Sequence, residues 1–342
     1  MPTPQMRRRM SQWGGVRYSD AFDTLSANWT TQLGTLTAAG TLTASAIESD
    51  GNELISNGEF TTNTDGWGSV NTNATRVDSA SDPGSASGGA DAYAVKTVAT
   101  ADGSTTLYQN GIGIIPGVTY AGACRAYAPS ANTTGSRLHL AGGWNDVVAG
   151  DGGVRNSWIA LAPNTTVASD IAGNVWLRMN GATAGDVAYF DSVSAQQQLA
   201  IATLSTWRYS DGTYAFDVAM PASGVVPIGH VFRYTDASNY WLAQPRPGTA
   251  GSDLFLFEVN AGTVTERISA DVDWGTSVTD QVRVGLNGST ITLYHKKSGE
   301  STWTNAGSYG SATLNQTATA HGPVLYSTSA GVAAITRVEY QP

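Results

Sequence analysis

Charge is what this chain has least of. Only 13% of its 342 residues are charged, about half the usual share for a soluble protein, so Thr, Ser, Asn and Gly carry most of the polarity. Positive charge is the scarcer sign: 18 Lys and Arg stand against 27 Asp and Glu, a net −9. That excludes the basic face of a nucleic-acid binder, and the one dense basic run is Arg7-Arg8-Arg9. A single cysteine, Cys124, rules out an intrachain disulfide, so the fold rests on its core. In an alternating run and with no base beside it in sequence, Cys124 reads as a buried structural thiol. No apolar run approaches the ~18 residues of a membrane-spanning helix. No apolar stretch follows the N-terminal arginines, so no secretory signal is expected. The histidines, His139, His230, His295 and His321, are scattered without metal-ligand spacing. There is no phosphate loop, serine elbow or dinucleotide fingerprint.

What the chain has in abundance is short alternation. Leu33-Gly-Thr-Leu-Thr, Tyr214-Ala-Phe-Asp-Val-Ala-Met220, Leu254-Phe-Leu-Phe-Glu-Val and Thr290-Ile-Thr-Leu-Tyr repeat with a period of two, which puts one face of a strand inward. Asn287-Gly288 between two such runs signals a hairpin. No helical period is found. The length fits two domains at roughly 150 residues each. Residues 1–16 read as an arm rich in Pro and Gly. Residues 51–196 open with Leu54-Ile-Ser-Asn-Gly-Glu-Phe60 and close with Val187-Ala-Tyr-Phe-Asp-Ser-Val-Ser194. Both ends alternate and are expected to pair as neighbouring strands, which would make this stretch an insertion between 17–50 and 197–342. The fold class expected is all-β: two β-sandwich jelly rolls, one inserted into a loop of the other.

Two resemblances cover most of the chain. Leu54-Ile-Ser-Asn-Gly-Glu-Phe60, Gly66-Trp67, Asp91-Ala-Tyr-Ala-Val-Lys-Thr-Val98, Gly117-Val-Thr-Tyr120 and Tyr189-Phe-Asp-Ser-Val193 follow the order and spacing of the family 4/9 carbohydrate-binding modules, which the insert resembles. The flanks resemble concanavalin A-like, laminin-G-like sandwiches through Asp20-Ala-Phe-Asp, Trp29, Gly40-Thr-Leu-Thr, Trp207, Gly212-Thr-Tyr-Ala-Phe-Asp-Val and Phe232-Arg-Tyr-Thr-Asp-Ala-Ser-Asn-Tyr-Trp241. Such nesting without an export signal resembles a structural protein of a tailed-phage virion. The resemblance implies a non-enzymatic component of the tail, baseplate or capsid surface, displaying a glycan-binding module for host attachment. Its partners would be other virion proteins, in a homo-oligomer or larger assembly, and a cell-surface glycan, with no nucleic acid and no membrane insertion. A purely structural decoration protein and an accessory of a glycoside hydrolase are the alternatives.

Sugar binding needs aromatic faces for the C–H side of a pyranose and amides, guanidinium or carboxylate groups for its hydroxyls. The candidates in the insert are Trp144, Asn145 and Asp146, where Gly142-Gly143 would keep the approach open, with Arg137, Trp158 and Tyr108. Trp67 and Tyr93 read more readily as core. The module resemblance also implies a structural calcium at Glu59 and Asp191, with Asp91 a weaker addition; calcium takes roughly six to eight oxygens. Asp271 and Asp273 place two acids on one strand face, but the Glu-x-Asp-x-x-Glu strand of the family 16 glycosidases is absent, so catalysis is not expected there. Asp236-Ala-Ser-Asn239 reads as a hairpin turn, with Arg233 before it. The arm arginines, Arg7, Arg8 and Arg9, are expected to meet carboxylates of a partner chain.

Overall fold

The computed structural model describes residues 18–22, 27–39, 42–51, 53–78, 82, 93–132, 134–144, 147–204, 209–220, 228–247, 253–275, 277–326 and 334–342. Arg7, Arg8, Arg9, Asp91, Asn145, Asp146 and Trp207 lie outside the described residues. Every regular element among the described residues is a strand. The chain divides into two compact units, one formed by Met1–Asp50 with Gln198–Pro342 and the other by Gly51–Gln197.

The flanking unit is a sandwich of antiparallel strands. One sheet runs Thr304–Tyr309, Thr290–Lys296, Thr279–Asn287, Gly212–Ala219, Ala334–Gln341, Leu42–Ala46 and Thr35–Ala38. The other carries Ala320–Leu325, Ile228–Asp236, Asn239–Pro245, Leu254–Asn260 and Thr263–Ala270 in that order. Alternation decides which side chains meet between them: Tyr214, Phe216 and Val218 from one strand, Val282, Val284 and Leu286 from its neighbour, and Trp241, Leu254 and Leu256 from the facing sheet join one core. Asn287 pairs with Thr290, so Gly288 and Ser289 make the turn, and Gly288 takes φ +53. A glycine with positive φ in the first turn position suits the twist of a two-residue hairpin. The Asp236–Asn239 turn is held by the Asp236 carboxylate, which accepts from the Ser238 N–H at 2.8 Å and the Asn239 amide at 2.9 Å.

This core also buries polar groups. His321 Nδ1 accepts from the Arg233 backbone N–H at 3.1 Å, which puts the ring proton on Nε2, 3.0 Å from the Tyr209 carbonyl and 3.0 Å from the Tyr214 hydroxyl. His230 stacks on Phe216 at 5.3 Å and meets the Tyr340 hydroxyl at 3.3 Å. Burial lowers both histidines to about 3, so both are neutral at physiological pH. The Arg233 side chain is fully buried and paired with Asp211 at 2.9 Å.

The inserted unit is a second antiparallel sandwich. Its first sheet orders Val147–Gly150, Ser136–Gly142, Ala172–Ala182, Gly103–Gly113 and Gly68–Val70. Its second contains Ile159–Val167, Thr119–Tyr127, the first part of Val187–Leu204, Tyr93–Ala99 and Thr72–Asp78. The strand Thr119–Tyr127 shows the rule plainly: Tyr120, Gly122, Cys124 and Ala126 are buried while the residues alternating with them are half-buried. Cys124 is buried, and loss of hydration together with nearby Asp191 pushes its thiol far up, as an inert core group requires. The expected opening strand at 54–60 is instead a run of turns. Asn57 and Phe60 take φ +54 and +52, which a regular strand does not admit. The segment still lies against the closing strand, because Leu54 N–H donates to Ala195 O at 3.0 Å and Val193 N–H to Gly58 O at 3.1 Å.

Candidate functional site

The first sheet of the inserted unit turns one face to the core and the other to solvent. In Gly103–Gly113, Thr105, Leu107 and Gln109 are buried, which sends Thr106, Tyr108 and Asn110 outward. In Ala172–Ala182, Val175, Leu177 and Met179 are buried, leaving Asn174, Trp176 and Arg178 on the outer face. In Ser136–Gly142, Leu138 and Leu140 are buried, leaving Arg137 and His139 outside. The register then aligns the rings: His139 is opposite Trp176, Trp176 is opposite Tyr108, and Tyr108 is opposite Gly68. One row of three rings crosses three adjacent strands, with Arg137 opposite Arg178 in the next row.

Each ring is held. His139 meets the edge of Trp176 at 4.9 Å and 88°. Arg178 lies 5.2 Å from the Trp176 ring centre and 3.2 Å from His139 Nδ1. Arginine only donates, so Nδ1 accepts and the His139 proton sits on Nε2. The Trp176 indole N–H donates to Asn110 Oδ1 at 3.3 Å. Tyr108 lies across Gly68 so closely that a Cβ there would sit 2.5 Å from the ring, and the ring is half-buried. The arrangement offers flat apolar surface bordered by guanidinium and amide groups, which suits a ligand with alternating C–H and hydroxyl faces.

Of the residues singled out from the sequence, Tyr108 and Arg137 lie on this face. Trp144 does not. It is fully buried, 5.9 Å from Tyr120, and a Cβ at Gly173 would sit 2.8 Å from its ring. Gly142 and Gly143 serve close packing rather than ligand approach: a Cβ at Gly143 would meet the Ala172 carbonyl at 2.4 Å. Trp158 belongs with the other sheet, 5.8 Å from Tyr127 and 6.5 Å from Tyr189. Trp67 is half-buried against Phe60 at 5.5 Å, and Tyr93 lies under the Arg76 guanidinium at 3.4 Å. The residues missed were His139, Arg178, Asn110 and, above all, Trp176. Its signal was phase: Asn174, Trp176, Arg178 and Asn180 share the polar phase of their strand, so the tryptophan had to point with them.

Glu59 and Asp191 approach each other through Ser192, whose hydroxyl donates to Glu59 Oε2 at 3.3 Å and whose N–H donates to Asp191 Oδ1 at 2.7 Å. Among the described residues no group of three or more His, Cys, Asp or Glu side chains is placed to hold a metal, and two carboxylates alone fall short of calcium's shell. In the flanking unit, Asp271 and Asp273 lie in a loop after Thr263–Ala270, not on a strand. With Asp253 they line a recess of about 580 Å³. A hydrogen bond from Lys297, 2.6 Å away, holds Asp273 below the usual carboxylate range. A glycosidase acid needs the opposite shift.

No protein-family model matches the chain, and no curated protein matches it. Solved structures do. A family 61 carbohydrate-binding module in complex with β-1,4-galactotriose is 18% identical, over 43% of this chain and 99% of that one, with a TM-score of 0.34. A tandem of two family 22 modules from Paenibacillus barcinonensis Xyn10C is 6% identical, over 87% of this chain and 99% of that one, at 0.35. A family 43 glycoside hydrolase protein from Bacillus licheniformis is 15% identical, over 39% of this chain and only 28% of that one, at 0.31. Similarity at this level carries no argument about ligand or activity.

Proposed function

We propose that the inserted sandwich is a non-catalytic glycan-binding module whose contact surface is the outer face of Tyr108, Trp176 and His139, with Arg137, Arg178 and Asn110 at its border. The observation that carries this reading is the ring row itself. Three aromatic side chains sit side by side on the solvent face of a sheet whose other face is a closed core. Tyr108, Trp176 and His139 are each half-buried, so part of this aromatic row stays in contact with water beyond what packing covers. The low surface charge and the polar border fit a hydroxylated ligand.

On the same reading, the chain as a whole is a virion structural protein of a tailed phage that carries this module toward the host surface. The support for that step is the sequence resemblance and the nesting of one sandwich in the other. Its partners are then other particle proteins, with the N-terminal arm as one contact.

The test of the module is a glycan array followed by calorimetry on the ligand found. Trp176→Ala and Tyr108→Ala should each weaken binding by about ten-fold or more, about 1.4 kcal/mol, with an unchanged melting temperature. Trp144→Ala should instead lower stability by about 3–5 kcal/mol. Full binding by a folded Trp176→Ala, Tyr108→Ala double variant would remove the site.

A further inference from the structure

The flanking sandwich has an outer face of its own. Its core takes Tyr214, Phe216, Val282, Val284, Leu293 and Val338, so the alternate residues of the same strands point away from it. Register places Ala215 opposite both Arg283 and Glu339, and Arg283 opposite Tyr294. Between long neighbours the small Ala215 side chain leaves a groove of about 230 Å³, walled by Arg283, Lys296 and Trp303 on one side and by Arg337, Glu339 and Gln341 on the other. Pockets for drug-sized ligands run to roughly 300–1,000 Å³, so this smaller groove suits a single sugar unit.

The two walls differ in how their charges are met. Arg337 is neutralised within the fold, by Asp217 at 2.9 Å and Glu339 at 3.2 Å. Arg283 and Lys296 have no carboxylate partner among the described residues. Arg283 lies 4.2 Å from the Tyr294 ring centre and 4.5 Å from that of Trp303, and Lys296 lies 5.0 Å from Trp303. Rings against a guanidinium fix its plane but accept little from its N–H edge, which stays available for a two-pronged acceptor. Partial burial already disfavours the charge of Arg283, and an anion would relieve that cost. On a chain with net charge −9, two unneutralised cations beside an aromatic ring in one groove are a selective feature rather than background.

We infer that this groove is a second saccharide site, independent of the inserted module, and that it takes a carboxylated sugar of the uronic-acid class. The carboxylate docks on Arg283 and Lys296. The Gln341 amide on the facing wall lies within reach of ring hydroxyls, while Gln281 donates to Asp217 at 2.6 Å and Glu339 accepts from Arg337 at 3.2 Å.

The probe is an α-1,4-linked galacturonate trisaccharide titrated into the full chain, beside its neutral galactose counterpart and inorganic phosphate. The uronate should bind saturably and weaken with added salt. Arg283→Gln combined with Lys296→Gln should weaken it by about ten-fold or more, as loss of charge-assisted hydrogen bonds implies. Trp303→Phe should abolish the fluorescence change on binding while the melting temperature stays the same. Three results would overturn the inference: no saturable uronate binding, equal competition by phosphate at the same concentration, or loss of uronate binding in Trp176→Ala but not in the Arg283/Lys296 double variant. That last result would place acidic-sugar binding on the inserted module and leave its proposed function intact.

Discussion

In the inserted sandwich His139 stands on the solvent side of a sheet against Trp176, whereas in the flanking sandwich His230 and His321 lie inside the core around Tyr214 and Tyr340. The same side chain serves opposite ends. On the surface it extends a flat apolar row and fixes an arginine. In the core it is neutral: His321 both gives and accepts a hydrogen bond, and His230 meets the Tyr340 hydroxyl through Nε2. The difference follows from strand phase: His139 alternates with Leu138 and Leu140, while His230 and His321 lie in strands whose residues are almost all buried. The flanking unit therefore ties its stability to keeping imidazoles uncharged, and the inserted unit does not use histidine in this way.

The sharpest way to separate the two sandwiches is to break each alone. A Cβ at Gly322 would sit 1.8 Å from the Ala202 carbonyl oxygen, and one at Gly58 would sit 2.0 Å from the Val193 carbonyl oxygen. Neither acceptor can move without tearing its strand. Gly322→Ala should therefore destabilise the flanking unit, and Gly58→Ala the inserted one, by about 4 kcal/mol or more. Hydrogen exchange read segment by segment is the measurement. Loss of protection in both units from either substitution would show that they do not fold separately.

Acid should act next, and on one side of the comparison. Both core histidines titrate near 3 when folded and at 6.5 when unfolded. The unfolded chain thus binds more protons throughout that interval, and stability falls as pH drops from 6.5 toward 3. The slope is at most about 1.4 kcal/mol per pH unit for each histidine. Between pH 6.5 and 5, where few carboxylates titrate, the flanking unit should lose amide protection first. Earlier loss in the inserted unit would contradict the assignment of these histidines as neutral core groups.

The smallest effect is expected from calcium. If Glu59 and Asp191 hold it with carbonyl oxygens around Ser192, chelation should lower the melting temperature of the inserted unit by a few degrees and leave the flanking unit unchanged. No shift on adding chelator or returning calcium would remove the site.

Architecture was more legible in the sequence than the surface was. Period-two alternation announces a strand wherever one face is buried, as in Tyr214-Ala-Phe-Asp-Val, and Asn287-Gly288 marked a hairpin to within one residue. Positive φ angles at Asn57 and Phe60 leave no trace in composition, so the opening 54–60 alternated like a strand and folded as turns. Tryptophan was the harder case. Trp144, beside glycines and polar residues, looked exposed, but Gly173 from a neighbouring strand makes room for its ring in the core. Trp176, between Val175 and Leu177, was passed over, although strand phase along Asn174, Arg178 and Asn180 turns it outward. Local company misleads because a ring is placed by its own phase and by glycines distant in sequence.

Gly68 extends that point to recognition. Tyr108 rests on it before any ligand arrives, so the ring has already given up its rotational freedom at the expense of folding. A ligand that stacks there has little side-chain entropy left to remove, and more of its contact energy appears as residence time. A side chain at position 68 would lift the ring off its seat and loosen binding without touching the ligand. On the proposed reading, the affinity of this surface would be set partly by a residue that contributes no atom to it.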